Sequence, residues 1–225
     1  MRDRGRVSWQ RLFLVRRECW TLSRLTKLLL LGAALAFVLL IRWQAHPFLA
    51  VHHPVKPEVL VVEGWMPLQT LNQAAAEFQR GRYRRLLIVR SSDDQTENYF
   101  ASREYNENVA SLLTRYGVPG ESVDTLFCPV EQRDRTYHAA LAVRDWFTQN
   151  GIAVNYLNVA TVGPHARRSW LMYRKAFGET TTIGIIALDD KTYDPKHWWR
   201  TSKGAREVLG ESIAYVYAKL FRAWN

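Results

Sequence analysis

Five short apolar runs rich in β-branched residues, each followed by a segment with helical spacing, constrain the fold of this chain more than any other feature. Runs of four to eight such residues between polar turns are typical of buried strands. They lie at 59–62, 86–89, 123–127, 154–160 and 182–188. Because strands that alternate with helices form parallel sheets covered on both faces, the sequence predicts an α/β fold. We expect a Rossmann-like three-layer sandwich with a five-stranded, mainly parallel sheet.

The segments between and after these runs repeat their apolar residues at helical intervals. Glycine is common just past the end of a helix, and Gly81, Gly117 and Gly151 each follow such a segment. The predicted helices cover residues 68–79, about 101–116, 136–149, 170–176 and about 203–223. The connections are short, so we expect right-handed crossovers between neighbouring strands.

A longer apolar run, LLLLGAALAFVLLI at residues 28–41, precedes the predicted sheet. At ~1.5 Å per residue it spans about 21 Å, less than the ~30 Å hydrocarbon core of a bilayer. Snorkelling by Lys27 and Arg42 extends it to a full crossing. We therefore predict a transmembrane signal anchor over residues 25–46. A cleaved signal peptide is the alternative; the long basic region before the run and the lack of a small-x-small cleavage site argue against it.

The net charge of +10 is concentrated before the predicted domain. Residues before Val51 include nine Lys/Arg and two Asp/Glu, whereas the rest of the chain carries a net charge of only +3. A basic segment over residues 1–24 predicts that the N-terminus is cytoplasmic and that the domain lies outside, as in a single-pass protein of the bacterial inner membrane. The lipid bilayer is thus an expected partner. The high pI requires no nucleic-acid partner.

The three prolines of residues 47–57 predict a spacer between the anchor and a domain over residues 58–225. Cys19 and Cys128 fall on opposite sides of the predicted anchor. No intramolecular disulfide is therefore expected.

Polar residues follow each predicted strand, where ligands bind in parallel α/β sheets. Loops are usually polar, but arginine and tryptophan exceed what ordinary turns favour. The candidates are Glu63 and Trp65 after the first strand, residues 91–94 after the second, Arg135 and Thr136 after the third, His165, Arg167 and Arg168 after the fourth, and Asp189 and Arg200 after the fifth.

The stretch after the fourth strand, GPHARRSW, opens a helix with a histidine and two arginines. The start of a helix offers backbone N–H groups and the positive end of the helix dipole. His165, Arg167 and Arg168 therefore predict an anion-directed site whose charges stay unpaired until a ligand arrives. The alternative is a solvated first turn beside a loop histidine.

Several familiar chemistries lack their sequence signatures. The chain contains no G-x-G-x-x-G after the first strand, no G-x-x-x-x-G-K-[ST] and no G-x-S-x-G. No H-x-x-x-H or C-x-x-C spacing indicates a metal site. We predict no metal ligands, and the cofactor stays unknown.

Several motifs together resemble the YdcF/SanA/ElyC-like family of bacterial envelope proteins. They are VLVVEGW, GVPGESV, RDRTYHAALAVRDW, TVGPHARRSW, YDPKHWW and REVLGESIAYVYA, and the resemblance covers roughly residues 59–220. It implies a Rossmann-like domain, an inner-membrane anchor and a role in cell-envelope or exopolysaccharide biogenesis, with envelope or polysaccharide-assembly proteins as partners. It implies no particular reaction.

The chain departs from that family's pattern at two of three motifs. Glu63-Gly64-Trp65 stands where the family has a glycine-rich turn, and only Thr136 is kept of a Ser-x-x-Thr helix start. His165 and Arg168 keep the His-x-x-Arg pair. These departures suggest a divergent branch with a different ligand head group.

Three functions follow from the sequence. In the first, the domain binds or processes a phosphate-bearing ligand, such as a lipid-linked sugar: Arg135, Arg167 and Arg168 clamp the anion, with Thr136 and Arg200 in the same ligand-binding set. His165 then acts as acid or base, Glu63 or Asp189 orients it, and Trp65 stacks on a sugar or an apolar tail. In the second, the arginines form a structural network with Asp134 and Glu63 in a non-catalytic envelope scaffold. The third is nucleotide or cofactor binding.

Overall fold

A computed structural model describes residues 23–91, 99–128 and 134–220. The predicted cytoplasmic segment up to residue 22, loop residues 92–94 and 129–133, and the predicted helix end at 221–223 lie outside these ranges. The described residues up to Leu40 form one compact unit, and those from Ile41 onward form a second.

The described residues contain one parallel sheet of five strands in the order β3-β2-β1-β4-β5. The strands are β1 (Val59–Glu63), β2 (Arg85–Ser91), β3 (Val123–Cys128), β4 (Tyr156–Val162) and β5 (Thr182–Leu188). Each agrees with its predicted run to within two residues at either end. The predicted α/β class is therefore confirmed.

Helices cover both faces of this sheet. The described α-helices are α1 (Arg24–Leu49), α2 (Leu71–Gly81), α3 (Tyr99–Arg115), α4 (Arg135–Gln149), α5 (Ala166–Phe177) and α6 (Ser202–Leu220), and α2 to α5 are the ones that pack on the sheet. One apolar core joins the sheet to α2 and α3, and a second joins its opposite face to α4 and α5. Alternate side chains of a strand point to opposite faces, which is why β1 contributes to both cores. The three layers match the prediction.

Helix α1 is 26 residues long and reaches a mean hydropathy of 2.1, enough in length and composition to cross a membrane. It runs through Pro47 to Leu49, three residues beyond the predicted anchor. Proline removes one helical hydrogen bond. Here the last turn is held by tertiary packing, because Leu49 is 1% exposed in a cluster with Tyr193, Trp198 and Val208.

Residues 53–55, within the predicted spacer, form hydrogen bonds with strands β4 and β5. The N–H of His53 donates to the carbonyl of Ile185 over 2.8 Å, and the Ile185 N–H donates back over 3.0 Å. The Asn158 amide bonds both backbone groups of Val55, at 2.8 and 3.0 Å. Strand β5 is at the edge of the sheet, so its outer backbone groups need such partners. The approach requires Gly184, since a Cβ there would lie 2.6 Å from the Val55 nitrogen.

Candidate functional site

A cavity of about 660 Å³ opens at the carboxyl ends of the central strands β1 and β4. The first turns of α4 and α5 form two of its sides and α6 forms a third. Its lining residues are Glu63, Trp65, Val89, Asp134, Arg135, Thr136, Tyr137, Ala139, His165, Arg168, Met172, Glu207, Gly210, Glu211, Ile213, Ala214, Tyr217 and Ala218. This is the strand edge at which the sequence predicts the ligand.

Glu63, the last residue of β1, forms the base of the cavity and is only 3% exposed. Its carboxylate accepts hydrogen bonds from the Thr161 hydroxyl at 2.5 Å, the Ser169 hydroxyl at 2.8 Å and the Trp65 indole at 3.2 Å. Three donors from β4, α5 and the turn after β1 compensate the burial of this charge. They also fix its orientation.

His165 ends the short 3-10 turn Gly163–His165 that links β4 to α5. Gly163 opens this turn at a φ of 48°, in the left-handed region that glycine adopts most readily. The His165 Nδ1 lies 2.8 Å from Glu211 Oε1 and 3.0 Å from Arg168 Nη2. The Trp65 ring meets the imidazole edge-on, with 4.7 Å between centroids. The imidazole is therefore clamped from several sides.

The other imidazole nitrogen has no hydrogen-bond partner among the described residues. Nε2 of His165 is buried and lies 3.5 Å from Glu63 Oε2. When Nδ1 carries the proton, it donates to Glu211 and leaves Nε2 as an acceptor; when Nδ1 is bare, it accepts from Arg168 and Nε2 carries the proton. A histidine with one nitrogen anchored and the other uncommitted is the arrangement that proton transfer uses.

Arg168 is already paired, in contrast to the predicted unpaired charge. Its Nε and Nη2 meet the two oxygens of Glu211 at 2.8 and 2.9 Å, and its Nη1 donates to the Thr136 hydroxyl at 2.9 Å. Burial alone would raise the pKa of Glu211, but hydrogen bonds from Arg168 and His165 outweigh it and lower the pKa to about 2. Burial opposes the charge of Arg168 as well, and the same carboxylate raises its pKa. The pair is ionised and bidentate.

Arg167 points to the end of α1 instead of into the cavity. Its Nε donates to the Phe48 carbonyl, and its guanidinium lies 3.8 Å from the centroid of the Phe48 ring. An arginine on the last carbonyls of a helix compensates the negative end of the helix dipole. Successive residues of a helix face different directions, and therefore Arg167 and Arg168 serve different parts of the molecule.

The other predicted site residues divide into two groups. Trp65, Arg135 and Thr136 line the cavity together with Glu63, His165 and Arg168. Asp189 does not line it; its side chain is 68% exposed and pairs with Lys191 at 2.9 Å. Arg200 is also exposed and away from the cavity lining.

The sequence prediction missed Glu211, the residue that binds both His165 and Arg168. It lies in helix α6, and a glutamate in a helix usually belongs to a solvated face. Thr161 and Ser169, which hold Glu63, were missed too. A threonine inside an apolar strand run was a signal for the first of them, because a buried hydroxyl needs a partner.

The cavity combines charges of both signs with an apolar wall. Its charged lining consists of the carboxylates Glu63, Asp134, Glu207 and Glu211 and the guanidiniums Arg135 and Arg168. Within the part of the chain that is described, no group of three or more His, Cys, Asp or Glu residues is placed to hold a metal ion. Met172, Ile213 and Tyr217 supply much of the apolar lining.

No family model matches the chain, and no curated protein is similar to it at a significant level. Among solved structures it is similar to the universal stress protein from Archaeoglobus fulgidus, which was solved in complex with dAMP. The two share 12% identity and a TM-score of 0.36, over 59% of this chain and 97% of the other.

Proposed function

We propose that the cavity binds a sugar-type ligand that bears a phosphate, and that His165 transfers a proton to or from it. The observation that carries this proposal is Nε2 of His165, which is buried at the cavity without a hydrogen-bond partner among the described residues, 3.5 Å from a fixed carboxylate. An orphaned polar atom on a residue that lines a cavity indicates a partner that is missing from the protein itself.

The charge of the lining supports a ligand with many hydroxyls and only one strongly anionic group. Four carboxylates face two arginines there, so a highly charged anion would meet repulsion. Carboxylates accept hydrogen bonds from sugar hydroxyls, and aromatic rings such as Trp65 and Tyr217 pack against the apolar face of a sugar ring.

The phosphate would lie at the start of α4. The guanidinium group of Arg135 can donate two parallel hydrogen bonds to a phosphate, and the positive end of the α4 dipole also attracts an anion. The Thr136 hydroxyl accepts from Arg168, so its own proton is available to a ligand oxygen. Arg168 would then act through Thr136, since Glu211 already occupies its Nε and Nη2.

A lipid-linked ligand would also account for the apolar wall. Ile213 and Tyr217 line the cavity, yet 72% and 52% of their surfaces are exposed. An apolar tail leaving the cavity along α6 would cover them. The resemblance to YdcF/SanA/ElyC-like proteins agrees with a role in envelope or exopolysaccharide biogenesis, in a bacterial inner membrane with the N-terminus in the cytoplasm.

The test measures melting of the full chain, purified in lipid nanodiscs, with a hexose 1-phosphate, a free hexose or inorganic phosphate. Anything that binds the folded state raises the melting temperature by mass action. We expect the hexose 1-phosphate to raise it most. In the His165→Asn variant, the amide nitrogen replaces Nδ1 as donor to Glu211 and nothing replaces Nε2. This variant should stay folded and lose the response.

Two further variants serve as matched controls. Arg135→Gln should weaken the response to both phosphate compounds while leaving any response to the free hexose unchanged. Arg200→Gln removes an exposed arginine outside the cavity and should change nothing. If none of the three compounds shifts the melting temperature of the parent protein, the binding proposal is wrong.

The second candidate is a structural scaffold, and the bidentate Arg168–Glu211 pair favours it. The pair is complete without any ligand, as expected if the network serves to fix α6 on α5. This function predicts that His165→Asn leaves envelope phenotypes intact, whereas disrupting the pair removes them together with stability. A folded His165→Asn protein that is inactive in the cell would exclude the scaffold.

The topology has its own test. The basic segment before residue 28 predicts that the N-terminus is cytoplasmic and that the C-terminal domain lies outside. A reporter enzyme that is active only outside the cytoplasm should therefore be active when it is fused after Asn225. Activity of a cytoplasm-specific reporter at that position would reverse the topology and the envelope role with it.

A further inference from the structure

Helix α6 carries an apolar stripe on its exposed side. Five large apolar residues recur along it at intervals of three and four, which places them on one face of the helix. They are Leu209, Ile213, Val216, Tyr217 and Leu220, and they are 48–72% exposed. Monomeric soluble domains rarely leave so continuous an apolar surface in water. We call these five residues the α6 stripe.

The neighbouring side of α6 packs against the end of α1. Val208 is fully buried with Leu49, and Tyr215 meets the Phe48 ring edge-on at 5.6 Å. Both α1 residues follow closely on the apolar run that ends at Ile41. The α6 stripe thus borders the segment through which the chain would leave a bilayer.

Two tryptophans contact Arg42, which follows the apolar run of α1. Arg42 is the first charged residue after it, and its guanidinium lies 3.9 Å from the centroid of the Trp199 ring. The Trp198 indole donates to the Arg42 carbonyl at 3.0 Å. Arginine at the end of a spanning helix lies among the lipid headgroups, and tryptophan is enriched at the same depth. The short helix Pro195–Arg200, which carries both tryptophans, precedes α6 directly.

We propose that the α6 stripe, together with the partly exposed Trp199, lies in the lipid–water interface of the membrane that α1 crosses. Interfacial helices bury an apolar face among headgroups and acyl chains and present basic residues to anionic lipids. Exposed basic residues lie on α6 and on the short helix before it, namely Lys196, Arg200, Arg206 and Lys219. The inference rests on the membrane anchor in the proposed function, but not on the ligand.

This placement has a consequence for the cavity. Ile213 and Tyr217 belong both to the α6 stripe and to the cavity lining. The mouth of the cavity would therefore open at the interface, where a lipid-borne ligand reaches it without leaving the membrane. A freely soluble ligand would gain nothing from this arrangement.

The test uses the full chain in vesicles of phosphatidylethanolamine and phosphatidylglycerol. A fluorophore is attached through Ile213→Cys in a Cys19→Ser background, and quenching by lipids with a spin label near the headgroup is measured. Cys128 stays in place because it is buried, and burial raises the pKa of its thiol to about 12. We expect quenching several-fold stronger than for Gln149→Cys, an exposed position at the end of α4.

A label at a third position tests the membrane anchor separately from the interfacial placement of the α6 stripe. Leu35→Cys lies in the apolar run and should be quenched by spin labels deep in the acyl chains. Quenching at position 35 but not at position 213 would overturn the interfacial placement and leave the anchor intact. A lack of quenching at both positions would remove the anchor as well. If position 213 is shielded by a second copy of the chain, shown by cross-linking between copies and no lipid quenching, the α6 stripe is a dimer interface and the proposal is wrong.

Discussion

The middle of the sheet's ligand edge and its β5 end look alike in sequence and differ in structure. After β1 and β4, Glu63, His165 and Arg168 are largely buried, and their contacts join strands and helices far apart in the chain. After β5, the ion pairs are exposed and local, such as Lys191 with Asp189 and His197 with Asp194. The contrast shows that polar residues at a strand end become a site only where another element covers them. Helix α6 covers the first group with Glu211.

The largest difference between the two regions should appear when an arginine loses its charge. Arg168→Gln leaves Glu211 partly buried without its partner, which typically costs about 3 kcal/mol or more. For a domain of this size the melting temperature should fall by about 6–12 °C. Arg200→Gln, at an exposed position, should stay within about 0.5 kcal/mol of the parent protein. Differential scanning fluorimetry measures both, and equal effects would remove the contrast.

Lowering the pH should produce a difference in stability between the two regions that is nearly as large. The folded pKa of Glu211 is about 2 against a reference value of 4.5, so its stabilising contribution is complete above pH 4.5 and is lost as the pH falls towards 2. A difference of this size corresponds to about 3 kcal/mol. Glu211→Gln should therefore be less stable at neutral pH and should lose less stability between pH 4.5 and 2.

Asp194 provides the matched control for that profile. Its hydrogen bond from His197 also lowers its pKa, but the group is fully exposed and salt screens it. Asp194→Asn should leave the acid profile nearly unchanged. Urea titrations at a series of pH values measure the comparison, and parallel profiles for the parent and Glu211→Gln would contradict it.

A moderate effect is expected at the base of the cavity. Glu63→Gln replaces an acceptor of three hydrogen bonds by an amide whose NH₂ group faces hydroxyl donors, at a cost of about 1–3 kcal/mol. Asp189→Asn, after β5, should cost less than about 0.5 kcal/mol. Chemical denaturation of both variants tests this, and a larger loss at Asp189 would reverse the comparison.

The smallest effect should come from a buried hydroxyl beside the cluster. The Tyr173 hydroxyl is fully buried and makes no hydrogen bond within the described residues. Burial, together with the charge of Glu63, raises its pKa well above the usual range. Tyr173→Phe should leave stability unchanged or raise it by up to about 1 kcal/mol. Tyr83→Phe is the control: it loses a hydrogen bond to Glu77 and should lower the free energy of unfolding by about 1 kcal/mol. A similar loss of stability in Tyr173→Phe would indicate that the Tyr173 hydroxyl has a hydrogen-bond partner.

The class of fold and the edge of the sheet on which the cavity lies follow from sequence patterns alone. Alternation of β-branched runs with helical segments admits few arrangements, because each strand buries both faces and each crossover is right-handed. Glu63 and His165 were predicted for the same reason, as residues at the ends of β1 and β4. The apolar helix α1 was predicted as well, since a long apolar run is recognised from local composition alone.

Which polar residues meet depends on how the elements pack in three dimensions. Arg167 and Arg168 are adjacent in sequence, yet one binds the Phe48 carbonyl and the other binds Glu211, 43 residues further along the chain. His53 of the predicted spacer likewise pairs with Ile185 of β5, because an edge strand needs partners for its outer backbone groups. Sequence patterns report which face of an element is buried, whereas the pairing of charges depends on the distances that packing sets between elements.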